Sequence, residues 1–335
     1  MTSNKAPNYK IITASRIYKN VNCDKYVDDD PFENYILNFD DIQRYEVAYP
    51  IGSGKYSTVF CGVMDKRRKC AIKVLKNVHI TKIKKEVFFL SQIKDLPNAI
   101  HLYGVVEDKL TNTISIITDY VNTESPKTLF TRITINDIRV LMYRLLFTLN
   151  ECHKLGIMHR DVKPGNMLFS KDCKRLKLID WGLSDLYFPA KSYSVRVSTL
   201  RYKAPELLLN YQYYDYGIDV WGAGVVLAEM MIKFPFFEAA DIDKMISQIA
   251  ILFGSASVRK YSEKYGLTIS FEALKDFPTD NSSKWSQTIR KIEPVKMDNN
   301  ALDLLRKLLE IDHENRITSF EALQHPFFDP IRQNS

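Results

Sequence analysis

The sequence predicts a mixed α+β fold of two lobes, the first small and β-rich with one main helix, the second larger and mostly helical. Three observations carry this. Up to about residue 121, apolar residues gather in short β-branched runs such as Cys70 to Leu75 and Thr113 to Val121, the mark of strands. From Ile135 onward they recur at helical spacing, and 335 residues at 45% hydrophobic composition can bury a sizeable core. The third is a polar loop, Ile157 to Leu168, which reads IMHRDVKPGNML and around which the rest of the chain is organised.

In that loop Asp161 and Asn166 stand five residues apart with Lys163 between them, and Pro164 and Gly165 bend the backbone so that the three side chains can converge. A loop of the form H-R-D-x-x-x-x-N serves phosphoryl transfer: the aspartate accepts a hydroxyl proton, the lysine lies near the moving phosphate, and the asparagine holds a metal ion. The plainer reading is a surface loop in which His159 and Asp161 cap a turn. Against it stands the alternating run Arg175 to Ile179, which ends in Asp180-Trp181-Gly182, a carboxylate at a strand end before a flexible glycine. Mg²⁺ needs few carboxylates when phosphate oxygens complete its shell, so Asn166 and Asp180 are the candidate metal ligands.

With these motifs the chain resembles the protein kinases, and Trp181, where most have Phe, makes it similar to casein kinase II catalytic (alpha) subunits. The resemblance spans about residues 14 to 330. It implies a bilobal protein kinase fold that transfers the γ-phosphate of ATP, with Mg²⁺, to Ser or Thr in acid-rich protein substrates. It also implies activity without an upstream kinase. Asp161 and Lys163 are then the catalytic pair.

Residues 1–38 carry Asp28-Asp29-Asp30 and show no clear period, as a disordered tail would. Yet Tyr9, Ile17, Tyr18, Tyr26, Phe32 and Tyr35 give them more apolar bulk than a tail needs, and Ala14 to Asn22 looks like the family segment that braces the activation segment. The expected division is therefore 1–38 as this N-terminal segment, 39–118 as the small lobe, 119–124 as a hinge, 125–330 as the large lobe and 331–335 as a tail.

Tyr45 to Lys76 reads as two or three strands. Ile51, Gly52, Ser53, Gly54, Lys55, Tyr56, Ser57, Thr58 and Val59 form a glycine-bearing hairpin tip whose backbone can close over phosphates. Lys73 lies inside a hydrophobic strand, where an unpaired ammonium is costly. Downstream, Ile83, Glu86, Leu90 and Ile93 share a helical stripe, so Glu86 is equally misplaced. Each charge explains the other: Lys73 binds the α/β-phosphates and Glu86 holds it.

The resemblance assigns Lys82, Lys84 and Lys85 on that helix, with Arg160, Arg196 and Lys203 in the large lobe, to acidic substrates. Ile80 and Thr81 dilute the basic run, and Leu200 replaces a family arginine, so the acid preference should be softened. The Thr199-Leu200 to Pro205-Glu206 stretch leans toward proline-directed kinases of the same group, and Gly165 replaces a family histidine. Thr113 to Val121 is expected as an edge strand feeding the hinge, where the backbone from Asp119 through Val121 to Asn122 meets the purine. Ala71, Thr118 and Leu168 stand where the family tends to have Val, Phe and Met, which predicts a roomier slot and a preference for ATP over GTP.

Ile135 to Leu155 is strongly helical, with Ile138, Leu141, Met142, Leu145, Leu149 and Cys152 on one face. The activation segment runs from Asp180 to Glu206, and Glu206 is expected to pair with Arg316, while Asp219 supports the backbone at His159 and Arg160. An insert from Phe236 to Met297 holds Trp285, and Ala301 to Phe328 reads as helical. The family's regulatory beta-subunit dimer would dock on the outer face of the small-lobe sheet, at Tyr45, Val47, Phe60, Ile72 and Val74, a face that could equally be core.

The net charge of +7 is moderate, and no zinc-finger, RNA-binding or basic-zipper signature calls for nucleic acid. Five cysteines without CxxC pairing argue against a disulfide framework or zinc site and for a reducing compartment, cytoplasmic or nuclear. The longest apolar run, Val220 to Ile232, is broken by Glu229 and too short for a bilayer. A pseudokinase scaffold is a poor alternative, because Lys73, Glu86, Asp161, Asn166 and Asp180 are all present.

Overall fold

The computed structural model describes residues 11–26, 30–54, 56–232, 235–269, 285, 287–288, 292 and 296–332. Lys55, Asp28 and Asp29, Tyr9 and the rest of residues 1–10, and 333–335 of the expected tail lie outside them.

The first lobe is a five-stranded antiparallel sheet in the order β1-β2-β3-β5-β4, with β1 Tyr45–Ser53, β2 Ser57–Met64, β3 Arg68–Leu75, β4 Leu102–Asp108 and β5 Thr113–Asp119. β5 lies between β3 and β4, so the expectation of an edge strand is corrected: its near-continuous apolar run fits burial on both faces, and β4 takes the edge. β2 packs so closely on its neighbours at Gly62 that a Cβ there would meet Ile72 Cδ1 at 2.4 Å and Glu46 O at 2.8 Å. Helix α1, Ile80–Ile93, buries Ile83, Glu86, Val87, Leu90 and Ile93.

On the outer sheet face Tyr45, Cys70, Ile72, Val106 and Ile117 make a small core of their own, with Phe60 and Val74 partly buried against it. Of the five residues expected to receive a regulatory subunit, Val47 alone is freely exposed, at 58%.

In the second lobe, β6 Thr123–Glu124 and α2 Pro126–Arg132 lead into α3, Ile135–Lys154. A reciprocal cap of Thr134 and Asp137 starts α3, and its predicted apolar face is fully buried. Four short strands follow, β7 Ile157–Met158, β8 Met167–Ser170, β9 Leu176–Leu178 and β10 Asp185–Leu186; β6-β8-β9 form one sheet and β7-β10 another. After α4, Pro205–Leu208, comes α5, Gly217–Ile232, buried along nearly its whole length. Among the described residues no helix is long and apolar enough to cross a membrane.

The helix expected over Ala301 to Phe328 is instead broken into Asn299–Leu308, Ser319–Leu323 and a 3-10 turn at Pro326–Phe328. Asp312 is the physical reason, because its side chain accepts the Glu314 N–H and favours a turn over a continued helix.

Residues 11–26 lie along the large lobe. Thr13 bonds Tyr211 and His313, the Ser15 N–H donates to the Tyr187 hydroxyl, and Asn22 Nδ2 donates to the carbonyls of Gly156 and Tyr187. Gly156, at φ +72°, leaves room for that side chain, since a Cβ would lie 2.2 Å from Asn22 Nδ2. Tyr26, Phe32 and Tyr35 then pack on Phe88 of α1.

Candidate active site

The cleft between the lobes holds a cavity of 680 Å³. Its walls include Ile51, Gly52, Ser53, Gly54, Ser57 and Val59 from the β1–β2 hairpin, Ala71 and Lys73 from β3, Glu86 from α1, Asp119 and Val121 from the hinge, and Asn166, Leu168 and Asp180 below. The hairpin closes with the Gly54 N–H on Ser57 O at 2.8 Å. Tyr56 and Thr58, expected with this group, lie outside the cavity wall, and Tyr56 is 56% exposed. Within β2 alternation accounts for Thr58, which faces away from the side on which its neighbours Ser57 and Val59 line the cavity. Leu90, Ile100 and Ile116 complete the apolar back of the cavity beside Thr118, and sequence reading missed them because they look like ordinary core.

Lys73 Nζ meets Glu86 Oε1 at 2.6 Å and Asp180 Oδ1 at 3.3 Å. Burial pulls the lysine pKa down, but the two carboxylates more than offset it, and the net shift is upward. Arg160 and Asp180 both sit at positive φ, +67° and +64°, a strained backbone of the kind that concentrates at functional sites.

Asp161 is 5% exposed, and its carboxylate is fully engaged. Oδ1 accepts the N–H and hydroxyl of Thr199, both at 2.9 Å, and Oδ2 accepts Lys163 Nζ at 2.7 Å and Asn166 Nδ2 at 3.0 Å. Burial alone would raise its pKa, yet Lys163 and Thr199 hold it below the ordinary value. Lys163 also donates to the Thr199 hydroxyl at 2.6 Å, so acid, lysine and threonine form a closed triangle. Thr199 is the main participant that sequence reading left out of the site.

Supporting bonds fix the loop. Asp219 accepts the N–H groups of His159 at 2.8 Å and Arg160 at 2.7 Å. The Asp161 N–H donates to His159 Nδ1 at 3.2 Å, so Nε2 carries the proton and donates to Ile179 O at 3.1 Å. Arg316 grips Glu206 through two bonds of 2.6 and 2.9 Å, both residues fully buried.

The basic residues divide sharply. Lys82, Arg196 and Arg201 are exposed. Lys84 donates to Glu33 O, and Lys203 to Val195 O and Val197 O. Lys85 and Arg160 both pair with the buried Asp185 at 2.9 Å. Lys85, Arg160 and Lys203, expected along a substrate groove, are thus engaged within the protein, the first two by the Asp185 carboxylate and the third by backbone carbonyls. Asp185 carried no motif of its own, and only the fold brings it to these cations.

The residues present suit a metal ion held with a nucleotide. Among the described residues the amide oxygen of Asn166 accepts no hydrogen bond, because its Nδ2 is turned to Asp161, and the Asp180 side chain is 49% exposed toward the cavity. One carboxylate and one amide oxygen are too few for a stand-alone site, but they match Mg²⁺ that takes its other ligands from phosphates and water.

The family model of the protein kinase domain matches residues 45–328. This chain belongs to the protein kinase family, a phosphotransferase whose domain implies ATP, typically with Mg²⁺.

Proposed function

We propose that this kinase is casein kinase II alpha-like: a Ser/Thr kinase that is constitutively active and favours acid-rich sites. In this reading Lys73 would hold the α/β-phosphates under the β1–β2 hairpin, while Asn166 and Asp180 would hold Mg²⁺, which would supply positive charge against the phosphates. Asp161 would take the proton of the acceptor hydroxyl as that oxygen bonds the γ-phosphorus and the bond to the β–γ bridging oxygen breaks, releasing ADP, with Lys163 balancing the charge beside it. All four acceptor positions of Asp161 are filled, so the incoming hydroxyl displaces one donor, and the hydroxyl of Thr199 is the most easily turned away.

The observation that carries constitutive activity is Asp185. Its carboxylate supplies the anion that Lys85 and Arg160 require, tying α1 to the catalytic loop without an added phosphate. The N-terminal segment supports the same arrangement, with Phe32 lying 4.5 Å under Lys85. A regulatory dimer, if recruited, would meet Val47 and the half-buried Phe60 and Val74.

Acid preference rests on the exposed Lys82 and Arg196, joined by Arg201. A proline-directed reading draws on Leu200, an apolar residue half-buried where the family has arginine. Phosphorylation of an oriented peptide library with ATP decides between them. Selection for Asp and Glu beyond a Ser or Thr is the expected result; a dominant proline after the acceptor, or phosphorylation of Tyr, would overturn it.

A further inference from the structure

We propose that the β2–β3 turn is a docking site for an acidic protein segment, separate from the groove that receives the phosphorylated residue. It deepens the acid-rich reading above and rests on that reading for the identity of the partner. Lys66, Arg67, Arg68 and Lys69 are consecutive and all exposed, four cations in a chain whose net charge is +7. Among the described residues none of them pairs with a carboxylate. The acid of the turn, Asp65, is already held by Arg44 through bonds of 2.9 and 2.8 Å. Asp119, at the end of β5, accepts the Tyr103 hydroxyl at 2.5 Å and meets Lys177 Nζ at 3.3 Å. Glu46 of β1 is kept from Lys69 by Val63, which pairs with both. The backbone is strained as well: Asp65 and Lys66 sit at φ +50° and +58°, where Asn and Gly fit with less strain than a lysine. Adjacent like charges on a strained turn favour an anionic partner that relieves their repulsion.

The layout selects the class of partner. By strand alternation Arg68 lies on the outer face of the sheet with Cys70 and Ile72, its guanidinium 4.5 Å from the ring of Tyr103. Lys69 lies on the opposite face with Ala71 and Lys73, its ammonium 5.7 Å from the ring of Tyr120 at the wall of the nucleotide cavity. A bilayer meets cations that share one plane, and single-stranded nucleic acid stacks its bases on open aromatic faces, whereas each of these rings already carries a cation. An extended run of carboxylates can wrap the edge of the hairpin and meet the cations on both sides.

The test compares the full chain with a variant carrying Lys66→Gln, Arg67→Gln, Arg68→Gln and Lys69→Gln. One probe is a short peptide with Ser followed by acids; the other is the same peptide lengthened by a Glu-rich tail of about twenty residues, up to roughly 65 Å when extended. Wild type should show a KM for the tailed peptide roughly tenfold below that for the short one, and the variant should lose most of that difference while its kcat and its KM for the short peptide stay at wild-type values. In fluorescence anisotropy the labelled tail alone, without an acceptor residue, should bind the variant roughly tenfold more weakly than wild type, and rising salt should shrink the gap. The inference is overturned if the tail lowers KM equally in both proteins, if the variant weakens the short peptide as much as the tailed one, or if single-stranded DNA or phosphatidylserine vesicles displace the tail more effectively than unlabelled tail does. Should wild type phosphorylate neither peptide, the acid-rich reading fails, and anisotropy with the tail still decides whether the turn docks an acidic segment.

Discussion

Lys85 and Asp185, 100 residues apart in sequence, meet at 2.9 Å and join α1 of the small lobe to β10 at the start of the activation segment. Arg160 shares the same carboxylate, so one anion serves two cations from opposite lobes. Removing Asp185 leaves both cations buried without a counter-charge, and breaking such a pair typically costs about 3–5 kcal/mol. Asp185→Ala should therefore lower the melting temperature and reduce turnover together. A melt unchanged from wild type, with full turnover, would show that Asp185 ties nothing.

How far the sequence reveals the site is plain from neighbouring residues of α1. Glu86 was legible because a carboxylate on an apolar stripe is an anomaly that demands a partner, and Lys73 was the matching anomaly in β3. Lys85, one position away, looked like part of a solvated basic face. Nothing in local spacing says that Phe32 and Asp185 will fold over it. The triangle of Asp161, Lys163 and Thr199 divides the same way: two members are five residues or fewer from Asn166, while the third arrives from the activation segment through tertiary structure.

Asp161→Asn and Lys73→Met should each abolish most activity while leaving the fold intact. Loss of general-base function is worth about 10²–10⁴-fold in rate. Asp161→Asn protein with wild-type turnover and a normal melt would dismiss the catalytic assignment.

The pH profile offers a finer probe of the same carboxylate. Asp161 titrates below its ordinary value, so it stays ionised at neutral pH, and both its function and its share of stability are lost only as pH falls through that lowered pKa. Thr199→Val removes the hydroxyl bond to Oδ1, leaving burial less opposed, and the Asp161 pKa rises toward or past the ordinary value. The acid limb of kcat/KM for ATP and peptide should move to higher pH in the variant. An unmoved limb would mean that another group governs it.

Arg316 and Glu206 tie the end of the activation segment to the base of the large lobe, and both are wholly buried. Arg316→Leu fills part of the space but strands the Glu206 carboxylate, so it should destabilise the protein by about 3–5 kcal/mol in denaturant melts. Replacing both partners, Glu206→Met with Arg316→Leu, should recover a good part of that loss, because it removes the orphaned charge. A double variant as unstable as the single would mean that backbone bonds of Arg316, such as that from Nε to Glu310 O at 2.8 Å, matter more than the pair.

Acidic-peptide recognition is where the buried and exposed cations make opposite predictions. Lys82 and Arg196 face solvent and have no carboxylate partner among the described residues, whereas Lys85 is committed to Asp185. Each exposed cation acting alone is worth about 0–1 kcal/mol, but charges of one sign along a groove act together on an approaching acidic segment. Lys82→Glu with Arg196→Glu should raise KM for an acidic peptide severalfold with kcat nearly unchanged, the pattern of lost uniform binding, and the difference from wild type should shrink as salt rises. Lys85→Glu should behave differently, lowering stability and kcat because it sets two carboxylates against each other beneath α1. If Lys85→Glu instead raised only the peptide KM and left the melt unchanged, Lys85 would belong to the substrate groove after all, and its pairing with Asp185 would be incidental.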